Sequence, residues 1–495
     1  MLKKLFTFLA IISLTLAPIS PVNAAVKAGS TCPKAGNTAI ASGKTFTCIK
    51  SGKKLVWDKG KLIENLSRTE KPNSNSSSQS QNKNYEISPS IASAEECKIK
   101  DAYLSSNNGY EYNNVGFPIK NHELPIKGEL KTLFLPVAFK DLPGNTDVTS
   151  LLNNYGKNLR IWAEHFTNKQ LNFEVTVHQK WVTLPEASSD FQIETPGTPN
   201  FLSNQTKLAE KIIQAAANSI DFTTFNAVLI YWSNIPNSFH YDLALRDFEV
   251  KGSTDAKRIF MWSPGPFMYT NYGTDSATKK LRMWQFYLHE MLHSQGIIGH
   301  APAGFDTGLG NSIHGASSSL DSWSLFLAGW TLDSQIYCAP KTRLSKATIR
   351  ISILDQNISS GIRSIIIPIS DKEAIVIEAR KAIDFSSDWP KGTEGILAFT
   401  VDTSKRNDPR NPLPSNSRKF DSWSYYLPPN NLISSGIDYD GIKCQDEVSK
   451  VGCSGIIDDF RKFLLGFGDF IEYAGVKITL ESFAETAIVT IEKLQ

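Results

Sequence analysis

At 495 residues, with 41% apolar and 20% charged side chains, the chain has the composition of a globular protein of two or three domains. A formal net charge of +3 is too small to argue for a nucleic-acid or membrane-surface partner. No segment after the N-terminus is apolar over the length of a membrane helix, so no membrane span is expected once the leader is removed.

Residues 1–24 read as a signal peptide. Lys3 and Lys4 form a basic start, residues 5–16 an apolar stretch, and Val22-Asn23-Ala24 a small-residue cleavage site. The chain is therefore expected to be secreted, either free or associated with the cell wall. Six cysteines, an even number, suit an oxidising compartment. Local pairs close small loops easily, which favours 32–48 and 444–453 and leaves 97–338.

Residues 25–62 read as a small, basic, cysteine-paired module. Residues 44–49 and 54–57 suit two strands joined by a turn at 50–53. Such a hairpin is marginal alone, and a 32–48 disulfide would be its main support. Its many lysines and single acid, Asp58, read as a solvated face, or as weak attachment to anionic cell-wall polymer. Residues 63–96, rich in Ser, Asn and Gln, carry too little apolar surface to offset chain entropy and read as a disordered linker.

Residues 97–340 carry a mixed pattern expected to form an α+β domain, with an α/β catalytic core. Residues 130–139 read as a buried strand, 151–166 as a helix, 171–184 as strand-like, 208–220 as an amphipathic helix and 227–232 as a strand. Beyond residue 341 short β-branched runs recur at 347–354, 364–369, 374–378, 395–401 and 476–480. They predict a β-rich C-terminal domain over 341–495.

Four of the eight histidines, His289, His293, His300 and His314, fall within 26 residues. The first two belong to His289-Glu290-Met291-Leu292-His293, in a run from 276 to 295 that reads as a helix, with Ser276 as N-cap and Gly296 at its end. Residues four apart share a helix face, so both imidazoles can address one Zn2+ ion, and Glu290 can reach the water in the open position as general base. His300 is the foremost third ligand, one position later than the metzincin spacing, with Asp321, Asp306 and His314 as alternatives. No methionine follows Met291, so a metzincin Met-turn is missing its residue. Tyr269, Tyr272 and His314 are candidates to polarise an oxyanion, and the sequence does not choose among them. Calcium suits the Asp-containing stretch 402–414 by composition, but without EF-hand spacing no specific site is assigned. His165 and His178 read as structural, and Trp323 and Trp330 as one packed helical face.

The chain resembles the immune inhibitor A-type family of secreted bacterial zinc metallopeptidases over roughly residues 130 to 490. The resemblance is carried by 133–144 (LFLPVAFKDLPG), 162–171 (WAEHFTNKQL) with 181–185 (WVTLP), the helix motif 289–296, and 320–330 (LDSWSLFLAGW). Residues 375–380 and 395–402 are similar to the family's downstream strands. The family's usual Pro-Asp after the Gly-x turn is replaced by Ile298-Gly299-His300. The resemblance implies a zinc endopeptidase acting on protein or peptide substrates, with His289 and His293 as ligands and Glu290 as base. It also implies that residues 25–96 could be a prosegment, although they look more like a module and tether. The rival reading is a non-catalytic extracellular binding or wall-associated protein on a peptidase fold.

Overall fold

A computed structural model of the chain describes residues 28–32, 34–35, 38–41, 44–59, 61–62, 85–102, 115–119, 123–251, 256–266, 283–297, 319–356, 361–386, 391–404, 424, 426–431 and 463–495. Two compact units are present, Met1–Lys83 and Asn84–Gln495. The protein is a sheet-rich α+β structure with few helices.

In the first unit, strands β1 (Thr38–Ala41), β2 (Lys44–Ser51), β3 (Lys54–Trp57) and β4 (Lys61–Leu62) form one antiparallel sheet. Ser51 pairs with Lys54 across a two-residue turn, where Gly52 takes φ +60°, a conformation few side chains tolerate. Phe46, Cys48 and Trp57 make its small core. The Cys32–Cys48 disulfide fixes the edge of that core, as expected for so small a sheet.

The second unit opens on residues read from composition as linker. Ser88 N donates to the Thr348 carbonyl, Ala92 N to the Cys338 carbonyl, and the Tyr337 hydroxyl to the Pro89 carbonyl. Main-chain pairing, which composition does not register, lays residues 85–97 along the strands that follow. Cys97–Cys338 then clips the two segments together.

Next comes a six-stranded sheet. It is built from β5 (Gly128–Phe139), β6 (Leu171–Val177), β7 (Val182–Leu184), β8 (Ala227–Trp232), β9 (Leu243–Lys251) and β10 (Ala256–Ser263). The order is β6-β5-β8-β10-β9, with β7 also on β5; all pairs are parallel except β9 on β10. β5 and β8 read as continuous apolar runs because both of their faces are covered. Leu130, Phe134, Leu229 and Tyr231 face a core shared with helix α1 (Thr149–Phe166) and helix α3 (Trp284–Ser294). The alternate residues Leu133, Leu135, Val228 and Ile230 meet Leu208 and Ile212 of helix α2 (Phe201–Ala216) on the other face.

The remaining described strands form two four-stranded sheets. One has order β11-β13-β14-β15, from Ile336–Cys338, Ser364–Pro368, Glu373–Lys381 and Glu394–Asp402. The other has order β12-β18-β17-β16, from Lys346–Ser352, Thr486–Lys493, Val476–Phe483 and Phe470–Tyr473. Alternation again explains the layering: Ile366, Val376 and Phe399 pack on Trp323 and Phe326, while Ile365, Ile375 and Ile377 pack on the last sheet. Cys444 and Cys453, expected to pair, lie outside the described residues. No described helix is long and apolar enough to cross a membrane.

Candidate metal centre

The histidine motif lies on α3. Trp284, Tyr287, Leu288 and Met291, at helical spacing, bury one side of this helix against β5, β8 and β10. The Tyr287 ring stands edge-on to Phe134 and Trp262, each at 5.2 Å, and its hydroxyl donates to the Ile230 carbonyl at 2.8 Å. This packing fixes the helix in rotation, and with it the direction of the motif. The helix ends as a glycine-capped turn: Gly296 takes φ +88°, its N–H donates to the His293 carbonyl, and Ile297 N donates to the Leu292 carbonyl. Gly296 therefore stops the helix as its sequence position predicts. Ser276, expected at the other end, lies outside the described residues.

Spacing of four brings His289 and His293 together. Their Nε2 atoms are 3.0 Å apart, and the rings stand at 85° with centroids 4.5 Å apart. Two nitrogens held by one tetrahedral zinc at about 2.0–2.1 Å lie about 3.3 Å from each other. The pair thus converges as a chelating pair must, at a distance that also suits a hydrogen bond between the rings. His293 Nδ1 is 3.1 Å from the Ile297 carbonyl, the backbone group that the Gly296 turn swings into place. An Nδ1–H donated there leaves the Nε2 lone pair free to bind a cation. His289 is buried and His293 half-buried.

Glu290 sits beside them, partly exposed but walled by protein. Burial pushes its carboxyl up to about 8; the negative charge of Asp242 adds to this, and Arg246 opposes it. Asp242 and Arg246 were not singled out in the sequence. Asp242 immediately precedes β9, whose alternating residues Leu243 and Leu245 are the signal that could have drawn attention to it. Asp242 Oδ1 accepts the Gly265 N–H at 2.5 Å, and burial raises its carboxyl to about 6. The segment is packed closely here: a Cβ on Gly265 would lie 2.6 Å from both Asp242 Oδ1 and the Tyr241 carbonyl. The start of β9 is thereby tied to the start of the segment after β10.

The other expected site residues are placed as follows. His300, Asp306, His314, Tyr269 and Tyr272 lie outside the described residues. Asp321 is 3% exposed and precedes the short helix α4 (Ser322–Leu327), where its Oδ1 accepts the Ser324 N–H at 2.8 Å. It serves there as a helix cap, and the structure does not bring it to the histidine pair. Among the described residues no group of three His, Cys, Asp or Glu side chains converges on one point.

His165 is a core histidine, its ring 4.5 Å from Phe166 and 4.7 Å from Phe385. His178 is half-buried in a strand-end segment. The two tryptophans do not share a helical face: Trp323 belongs to α4 and donates to the Val115 carbonyl, whereas Trp330 lies beyond the helix and donates to the Ile126 carbonyl. α4 is too short for residues seven apart to stack on it.

No protein-family model matches the chain, and no curated protein matches it either; the centre is defined by its own geometry.

Proposed function

We propose that this chain is an exported zinc-dependent endopeptidase, built on a zincin-like α/β domain, with His289 and His293 as zinc ligands, His300 as the third, and Glu290 as general base. The observation that carries the reading is the convergence of the two Nε2 atoms at 3.0 Å on a helix held rigidly under the sheet, with a carboxylate at the intervening turn. When bound, zinc supplies a Lewis acid that polarises a carbonyl and makes a water acidic near neutral pH.

The chain's own residues do the rest. The Ile297 carbonyl holds the His293 ring in one orientation. Glu290 takes the proton from the attacking water and delivers it to the leaving amine. Among the described residues β9 is an edge strand whose outer main-chain groups can pair with an extended peptide, and the charge of Asp242, just before it, acts on Glu290. Two disulfides fit an oxidising compartment, in agreement with the leader at residues 1–24.

Casein hydrolysis by the chain freed of residues 1–24 tests this reading, wild type beside Glu290→Gln. Loss of a general base is expected to slow cleavage by about 100- to 10,000-fold. Equal cleavage by the two proteins would overturn the assignment of Glu290.

A further inference from the structure

The net charge of +3 is the sum of unlike parts. Residues 25–62 hold eight lysines and one acid, Asp58, and so carry a net charge of +7. Two further lysines stand in the leader at 1–24, which leaves a net charge of −6 on residues 63–495. The positive charge of the mature chain is therefore concentrated on the first unit.

These lysines do not hold the module together. Lys34, Lys50, Lys53, Lys54 and Lys59 are exposed, and among the described residues none of the five makes an ion pair. Lys50, Lys53 and Lys54 crowd the turn between β2 and β3, where Lys50 pairs with Leu55 and Ser51 with Lys54. Asp58 Oδ1 accepts the Thr47 N–H at 3.0 Å, so the one acid also ties β2 to the end of β3. Like charges held this close oppose folding, in a sheet whose core is three side chains and a disulfide. An external anion would offset that repulsion.

The kind of anion follows from what the module lacks. Phe46 is 5% and Trp57 7% exposed, so neither offers a platform on which a nucleic-acid base could stack. No helix is present among its described residues, and Ile49, 44% exposed, is too little apolar surface to enter a lipid interface. Residues 25–62 contain no arginine, the residue whose planar fork recognises single carboxylates and phosphates. Lysine ammonium groups act as point charges and suit a ligand read by charge density along its length. We infer that the first unit binds a linear phosphate-bearing polymer of the cell wall through these lysines and holds the exported chain there. The inference rests on the exported reading of the chain and is independent of the peptidase chemistry.

Co-sedimentation tests it, with the full mature chain, a zinc chelator, and cell-wall sacculi that carry a polyol-phosphate polymer. The same sacculi, stripped of that polymer by hydrofluoric acid, keep the carboxylates of their peptides. Stripping is expected to weaken binding about tenfold or more, as is raising salt from about 50 to about 200 mM. Lys50→Gln/Lys53→Gln/Lys54→Gln should bind about tenfold more weakly than wild type. Lys140→Gln/Lys157→Gln/Lys493→Gln, the same loss of charge at exposed positions of the second unit, should bind as wild type does. All six replacements alter exposed side chains, and matching melting curves confirm folding. No binding to intact sacculi, equal binding to stripped ones, or equal binding by the two triple variants would each overturn the inference. Tighter binding to phosphatidylglycerol vesicles or to duplex DNA than to intact sacculi would overturn it in favour of that polyanion.

Discussion

Arg380→Met removes a guanidinium that is fully buried, and the surroundings set what this costs. Arg380 Nε is 3.2 Å from Asp355 Oδ2 and Nη1 is 3.0 Å from Glu378 Oε1, and all three side chains have no exposure. Glu378 Oε2 in turn accepts the Ser322 N–H at 2.8 Å, at the start of α4, and Asp321 lies close enough to raise the Glu378 carboxyl further. Methionine would leave two carboxylates in a dry core without that cation. Breaking a buried pair in this way costs about 3–5 kcal/mol, and at about 2 °C per kcal/mol this lowers Tm by roughly 6–10 °C. Burial already pushes the Glu378 carboxyl up while Arg380 holds it down, so removing the guanidinium raises its folded pKa further above the unfolded value. The penalty is then largest at high pH and shrinks as pH falls and Glu378 takes up a proton. Calorimetry of wild type and variant at pH 8 and pH 5 reads both effects. A variant melting within about 1 °C of wild type, or a gap that does not narrow at pH 5, would show that Arg380 does not balance the buried carboxylates.

Three further predictions follow from single contacts. Burial, with the charge of Arg363 second, lowers the His165 pKa to about 4, so the unfolded chain binds this proton first. Stability is complete above pH 6.5 and falls by about 3 kcal/mol as pH drops to 4; Tm against pH should flatten over that window in His165→Phe, and an unchanged slope would contradict the assignment. Gly265→Ala places a methyl group against Asp242 and the Tyr241 carbonyl, so casein hydrolysis should fall roughly 10- to 100-fold with zinc retained; unaltered activity would separate the Asp242 segment from the chemistry. Cys32→Ser/Cys48→Ser opens a loop of separation 16, a loss of about 3 kcal/mol that a three-residue core cannot offset. Trypsin should then cut residues 44–62 rapidly while Asn84–Gln495 survives, and resistance equal to wild type would show the sheet needs no clip.

Much of the fold was legible wherever a face is buried on both sides or alternates cleanly. β5, β8 and β13 appear where continuous apolar runs stand, and α1 where helical spacing does. β9 and β10 were missed. β9 alternates with charged residues such as Arg246 and Glu249, as suits its place at the edge of the described sheet, and its run reads as weakly as a loop. Residues 85–96 read as linker from composition because the main-chain bonds of Ser88 and Ala92 leave no mark there. At the site, the spacing of His289 and His293 was visible because it is local, whereas the charge of Asp242, distant in sequence, acts on Glu290 only in the folded chain. Asp321 illustrates the same limit: its residue type suits a ligand, and its position makes it a cap.

Zinc content of the purified mature chain, measured by mass spectrometry of the metal, decides whether His289 and His293 hold zinc. Close to one zinc per chain is expected in wild type and in Glu290→Gln, and loss of zinc in His289→Ala and in His293→Ala. Zinc absent from wild type after reconstitution, or retained in both histidine variants, would contradict their role as ligands.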